Sequence, residues 1–221
     1  QVIYDGHQPE YPGDFTSVEQ TVEEITAYLK DRGVDRLDAA YGCSLGGACL
    51  TRMLALGEMP IGRAIIDGGI TPYQQPFPVR KLLLLRDVIS FNIVAAHRDV
   101  LEVAFPPKRF TIPGHDPMKE YDAMEQYLKT YSRRSIRNIF WSANNYDLPR
   151  IPAKIATKIT YWYGDDEKKD RRSNIRFIKH YFPQARIHGI PKMTHAELVI
   201  VHPEEFCRYA EKFLVEGRQM V

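Results

Sequence analysis

The sequence predicts an α/β protein: a mostly parallel sheet with helices on both faces, carrying an all-helical insertion. Three observations lead there. Near both ends of the chain, short apolar segments alternate with segments of helical periodicity. One apolar segment passes into a helix through a glycine-flanked turn, Tyr41-Gly42-Cys43-Ser44-Leu45-Gly46-Gly47. From Thr71 to about Ala156 the alternation stops, and helical patterns bordered by prolines take its place. Strands that are apolar throughout, rather than every second residue, belong to parallel sheets covered on both faces.

Each element has its own signal. Val2-Ile3-Tyr4 reads as the end of a strand, with Asp5-Gly6-His7 as the loop after it and Gln8–Asp14 as further loop. Ser17 predicts an N-cap, and Gln20 three residues later completes a capping box. The helix so begun runs to about Arg32, with Val18, Val22, Ile25 and Leu29 on one face and Gly33 as its stop. Arg36–Tyr41 is expected to be a short buried strand, Ala48–Leu56 a helix stopped by Gly57, and Ile61–Ile66 a second strand ending in Asp67-Gly68-Gly69. Within the insertion, Val79–Ala96, Met118–Tyr131 and Ser132–Asn144 read as helices. Lys158–Tyr163 then predicts a strand, Lys169–Phe182 a helix, Ala185–Ile190 a strand, and a final helix ends near Val215.

Composition narrows the function classes. The 221 residues suffice for one sizeable core with an insertion. With 30 basic against 28 acidic side chains the net charge is +2, which gives no reason to expect a nucleic-acid partner. The sequence has no apolar run of about 18 residues, and neither a signal peptide nor a membrane span is expected. Cys43, Cys49 and Cys207 show no metal-ligand spacing with histidine, and three cysteines cannot all pair. A reducing, cytoplasmic setting without metal or organic cofactor is expected.

The chemistry is concentrated at the ends of the strands. Gly42-Cys43-Ser44-Leu45-Gly46 has the G-x-S-x-G spacing, and a strand that turns into a helix within two or three residues lifts the Ser44 hydroxyl clear of the sheet. The alternative is a tight turn in which Ser44 only caps the helix. A serine becomes a nucleophile when a histidine takes its proton and a carboxylate orients that histidine. Asp165, Asp166 and Glu167 follow the strand ending at Tyr163, and His195 follows the strand ending near Ile190. Parallel strands bring these ends to one edge of the sheet. Asp67, at another strand end, is a further candidate acid, and the acidic run at 165–167 also fits a solvated helix start. His7 is expected to shape a loop wall, and Cys43 to be a small buried side chain rather than a reactive thiol.

Taken together these residues resemble the α/β-hydrolase superfamily, in particular the lipase- and esterase-like serine hydrolases with a helical cap found in Firmicutes bacteria. Asp5-Gly6-His7 resembles the D-x-x-G-H loop after the fourth strand, and Gly42–Gly46 the nucleophile elbow. Gly164-Asp165-Asp166-Glu167 resembles the acid loop after the seventh strand, and His195-Ala196-Glu197 the histidine loop after the eighth. The family's aspartate position is Glu167 here. The resemblance implies Ser44 as nucleophile, His195 as base and Glu167 or Asp166 as the acid, with Asp165 and Asp67 less favoured. It implies the Leu45 backbone N–H as one oxyanion donor. It divides the chain into a hydrolase core, 1–70 and 157–221, and a cap, 71–156.

The same resemblance leaves half an oxyanion hole. The second donor belongs to a loop after the third strand, and no such loop precedes the elbow. The third strand lies between the fourth and fifth, so the expected sheet has a gap in its middle. The sequence is therefore expected to be a fragment, with the N-terminal strands in further residues, in a second chain or in an oligomer partner. A small-molecule acyl substrate is expected: a carboxylic ester first, with a thioester, lactone, amide or a C–C bond beside a ketone left open. Leu82–Leu85, Ile89, Phe91, Ile93 and Val94 are read either as the cap's own core or as the wall of an apolar acyl pocket. Rival readings are a perhydrolase or acyltransferase, and a catalytically silent ligand-binding or signalling protein on the same fold.

Overall fold

The computed structural model describes residues 1–4, 7, 13–73 and 75–215. The chain forms two compact units, Gln1–Thr21 with Pro72–Asp147, and Val22–Thr71 with Leu148–Val221.

The second unit holds the sheet. Its strands are β1 (Leu37–Cys43), β2 (Ile61–Asp67), β3 (Lys158–Gly164) and β4 (Arg186–Ile190), paired in the order β1-β2-β3-β4 and parallel throughout. Ala64, Ile65 and Ile66 on β2 are all buried, as are Tyr161, Trp162 and Tyr163 on β3. Successive side chains point to opposite faces, so the centre of the sheet is covered on both sides. One core cluster joins Ile65, Trp162 and Ile190 to Leu198 and Phe213. Leu198 lies on α9 (Glu197–Val201) and Phe213 on α10 (Pro203–Val215). The expected single final helix is thus two, divided at His202 and Pro203, because proline has no N–H to donate back into a preceding turn. α8 (Arg172–Tyr181) starts three residues later than expected, after a 3₁₀ turn at Asp165–Glu167.

Two expectations are corrected here. Val2–Tyr4 takes no strand, and among the described residues the sheet ends at β1. Asp5 and Gly6 of the proposed loop after it lie outside the described residues, as do residues 8–12. β1 is not a buried strand: it pairs on one side only, and Asp38, Ala39 and Tyr41 are exposed.

α1 (Val18–Asp31) starts at Ser17, whose hydroxyl accepts the Gln20 N–H at 3.1 Å, and stops at Gly33 with φ +71°. In the first unit, the segment before α1 is fastened to α7 (Arg133–Asn145): the Phe15 and Val18 N–H groups donate to Ser135 and Ser142 hydroxyls at 3.0 and 2.7 Å. His7 packs edge-on against Tyr4, Phe15 and Tyr131, which is a packing role. The helical segment contains α3 (Phe77–Ala96), α4 (Arg98–Ala104), the single turn α5 (Pro107–Phe110) and α6 (Pro117–Lys129) besides α7. Phe91 of α3 packs against Tyr131 and Phe140. Yet no side chain of α3 is buried, and Leu82, Leu85, Ile89 and Ile93 are exposed, so these leucines and isoleucines are not the core of the helical segment. Among the described residues no helix is long and apolar enough to cross a membrane.

Candidate active site

The site is built on the turn from β1 into α2 (Leu45–Leu56). Ser44 holds φ +53° and ψ −110°, a conformation that L-residues with side chains rarely adopt. Three backbone bonds pin it there. Its N–H donates to the Asp67 carbonyl at 2.9 Å, and its own carbonyl accepts from Ala48 at 3.1 Å and Ile70 at 3.4 Å. The glycine before it is a steric necessity, since a Cβ on Gly42 would stand 2.3 Å from the Gly46 carbonyl oxygen. The Ser44 side chain makes no capping hydrogen bond to α2. That sets aside the reading of Ser44 as a mere helix cap, and leaves its hydroxyl available beside the positive end of a helix. Leu45 supplies the first N–H of that helix, one of the four that have no acceptor within it.

His195 stands in the loop after β4, between Lys192 and Ala196, both with left-handed backbone (φ +61° and +59°). The loop is anchored by Glu197, which accepts the Thr194 N–H at 2.8 Å, and by Met193, whose carbonyl accepts the Asp166 N–H at 3.1 Å. The imidazole lies directly over Gly68. A Cβ there would be 2.7 Å from His195 Nδ1 and 3.5 Å from Glu167 Oε1, and φ at Gly68 is +54°. Asp67 and Gly68 therefore form the seam of the site: Ser44 is bonded to the first and His195 rests on the second.

Of the three consecutive acids, only Glu167 is buried, with 5 % of its surface exposed. Its Oε2 lies 3.3 Å from His195 Nδ1 and accepts from Arg171 Nε at 2.5 Å, while Oε1 accepts the Gly164 N–H at 3.3 Å. Burial alone would push this carboxyl up. The contact with His195 and the Arg171 charge outweigh it and hold the group below the ordinary glutamate value. Asp165 and Asp166 are exposed, and Asp165 lies over Gly189 instead. The 3₁₀ turn explains the selection: it aims its third side chain back at the strand end and leaves the first two outside.

Asp67 is another buried acid near the imidazole. It accepts the Tyr41 hydroxyl at 2.8 Å, and burial raises its pKa. Cys43, beside the serine, is half-buried rather than buried as expected, and its pKa is pushed up to about 12, first by burial and then by Asp67, which favours the neutral thiol. None of the three cysteines forms a disulfide. Among the described residues no group of three or more histidines, cysteines or acids could hold a metal ion. A cavity of about 560 Å³ opens at the opposite edge of the sheet, by the strand starts, lined by Arg36, Asp38, Arg63 and Lys158 among others and by no serine or histidine.

Sequence reasoning missed two parts of this site. Gly68 was visible only as a strand-end glycine, and Arg171 as one of several basic residues after the acidic run. The one available signal was the four-residue spacing of Glu167 and Arg171, which suits a local ion pair.

No protein-family model matches the chain, and no curated protein sequence matches it. Solved structures do match. A protein from Desulfitobacterium hafniense described as of the alpha/beta hydrolase family is similar over 96 % of this chain and 83 % of its own, with a TM-score of 0.68 at 18 % identity. MenH from S. aureus is similar over 99 % and 83 %, with a TM-score of 0.69 at 15 % identity. An esterase from a marine microorganism is similar over 95 % and 82 %, with a TM-score of 0.61 at 16 % identity. This chain has the α/β-hydrolase fold.

Proposed function

We propose that this chain is a serine hydrolase that cleaves a carboxylic ester through an acyl-enzyme on Ser44. The observation that carries the reading is the joint seam: the Ser44 N–H donates to Asp67, and the ring of His195, with Glu167 at 3.3 Å, lies on Gly68. A nucleophile, a base and a buried acid thus meet around two consecutive residues, in the chain order serine, acid, histidine that this fold's enzymes use. The esterase among the structural neighbours is consistent with the same chemistry.

In this reading Ser44 Oγ attacks the substrate carbonyl carbon while His195 Nε2 takes the hydroxyl proton. Glu167 accepts the Nδ1–H, fixing the ring and stabilising the imidazolium. The Leu45 N–H donates to the oxyanion that forms on the carbonyl oxygen. His195 returns the proton to the leaving alcohol, and a water, activated by the same base, releases the acid. No residue exchanges an electron and the protein ends as it began. Asp166 and Asp165 act at most on the outer rim. Residues 1–70 and 157–221 serve as the catalytic core and residues 71–156 as the cap. The leucine- and isoleucine-rich sequence of residues 82–93 is the reason an apolar acyl group is the first substrate class proposed. Hydrolysis of p-nitrophenyl esters of graded acyl length tests this: activity lost in Ser44→Ala and rising with chain length supports it, and equal turnover by Ser44→Ala sinks it.

A further inference from the structure

The site contains one charge that serine-hydrolase chemistry does not require. Arg171 lies four residues after Glu167, in the turn that leads into α8, and its guanidinium bridges acid and base. Nε donates to Glu167 Oε2 at 2.5 Å, and an Nη stands 2.8 Å from His195 Nδ1. The Glu167 oxygen lies 3.3 Å from that same ring nitrogen. In a neutral imidazole Nδ1 carries either a proton or a lone pair, never both. Glu167 calls for the proton, while a guanidinium, which has donors only, calls for the lone pair. The shorter contact belongs to the arginine. Accepting from Arg171 puts the single ring proton on Nε2, and a histidine in that tautomer can donate to a hydroxyl but cannot take its proton.

We propose that Arg171 latches the base: in the resting site it holds His195 Nδ1, and Ser44 is activated only when the guanidinium releases the ring and Glu167 receives Nδ1–H instead. The inference rests on the serine-hydrolase reading above. The switch conserves protons. The ring gives its Nε2 proton to water and takes one from water at Nδ1; Arg171 stays cationic and Glu167 anionic. The two arrangements share most of their contacts, because Arg171 Nε can stay on Glu167 while the Nη swings away. Two further buried acids lie nearby: Asp67 is engaged by the Tyr41 hydroxyl at 2.8 Å, and Glu197 accepts the Thr194 N–H at 2.8 Å. Arg171 is thus a positioning residue, acting on substrate through His195.

Ring-nitrogen NMR of the ¹⁵N-labelled full chain reads the tautomer without turnover, and fluorophosphonate labelling reads the nucleophile. The wild-type protein is expected to show His195 as Nε2–H. Arg171→Met is expected to shift it to Nδ1–H and to label about tenfold faster, as when a form held to roughly a tenth of the population becomes dominant. Arg171→Lys, which keeps the charge but cannot span both atoms, should label at a rate between the two. Nδ1–H in the wild-type protein overturns the latch, and that spectrum decides the matter even where Arg171→Met fails to fold. Arg171→Met that keeps the wild-type tautomer and labels no faster overturns it as well. Absence of labelling in every protein overturns the nucleophile assignment and the latch with it, and the spectrum tells this failure from the other.

Discussion

At Ser44 the backbone is held at φ +53°, where a side chain costs on the order of 1–3 kcal/mol. Glycine suffers no such penalty. Ser44→Gly should therefore raise the melting temperature while abolishing ester hydrolysis; a lower melting temperature would mean the turn is not strained. Gly68 presents the converse case. Gly68→Ala puts a methyl 2.7 Å from His195 Nδ1 in a left-handed residue, so hydrolysis should fall by about a hundredfold or more, as small misplacements of catalytic groups do. Normal kinetics in that variant would remove Gly68 from the seam. Only one of the two glycine roles at this site follows from local sequence. Gly42 was legible because the G-x-S-x-G spacing implies a tight turn, whereas the need for Gly68 arises from a ring 127 positions away in the chain.

Elements decide which acid reaches the histidine. The sequence left Glu167 and Asp166 both open, with Asp165 behind them, and the 3₁₀ turn after β3 buries only Glu167. Its carboxyl titrates below the ordinary value near 4.3, so the folded state binds fewer protons there than the unfolded chain. The stabilisation it provides is full above that ordinary value and is lost as pH falls through the lower folded one. Glu167→Gln should flatten the fall of melting temperature below about pH 4 and lower the hydrolysis rate by up to about 10⁴-fold, the loss known for a triad acid turned to its amide. Asp166→Asn should change neither. A rate collapse in Asp166→Asn with a normal Glu167→Gln would reverse the assignment. Strand and helix limits were largely legible, since period, caps and prolines are local. The exposure of Asp38, Ala39 and Tyr41 on β1 was not, because an apolar run says nothing about what covers a strand.

For the whole molecule, the order of strands and candidate site residues along the chain was readable, and it places Ser44, Glu167 and His195 at one edge of a four-stranded parallel sheet. The content of the helical segment was readable only as helices. Its exposed row of Leu82, Leu85, Ile89 and Ile93 could not be told from a core by composition, because exposure depends on what packs nearby. The central claim is that Ser44 is an activated nucleophile. A fluorophosphonate probe applied to the full chain near neutral pH, with the adduct located by peptide mass spectrometry, tests it most directly. The account predicts one adduct on Ser44, absent from Ser44→Ala and slowed severely in His195→Ala. No adduct on the folded wild-type protein, or one on another residue, would contradict it.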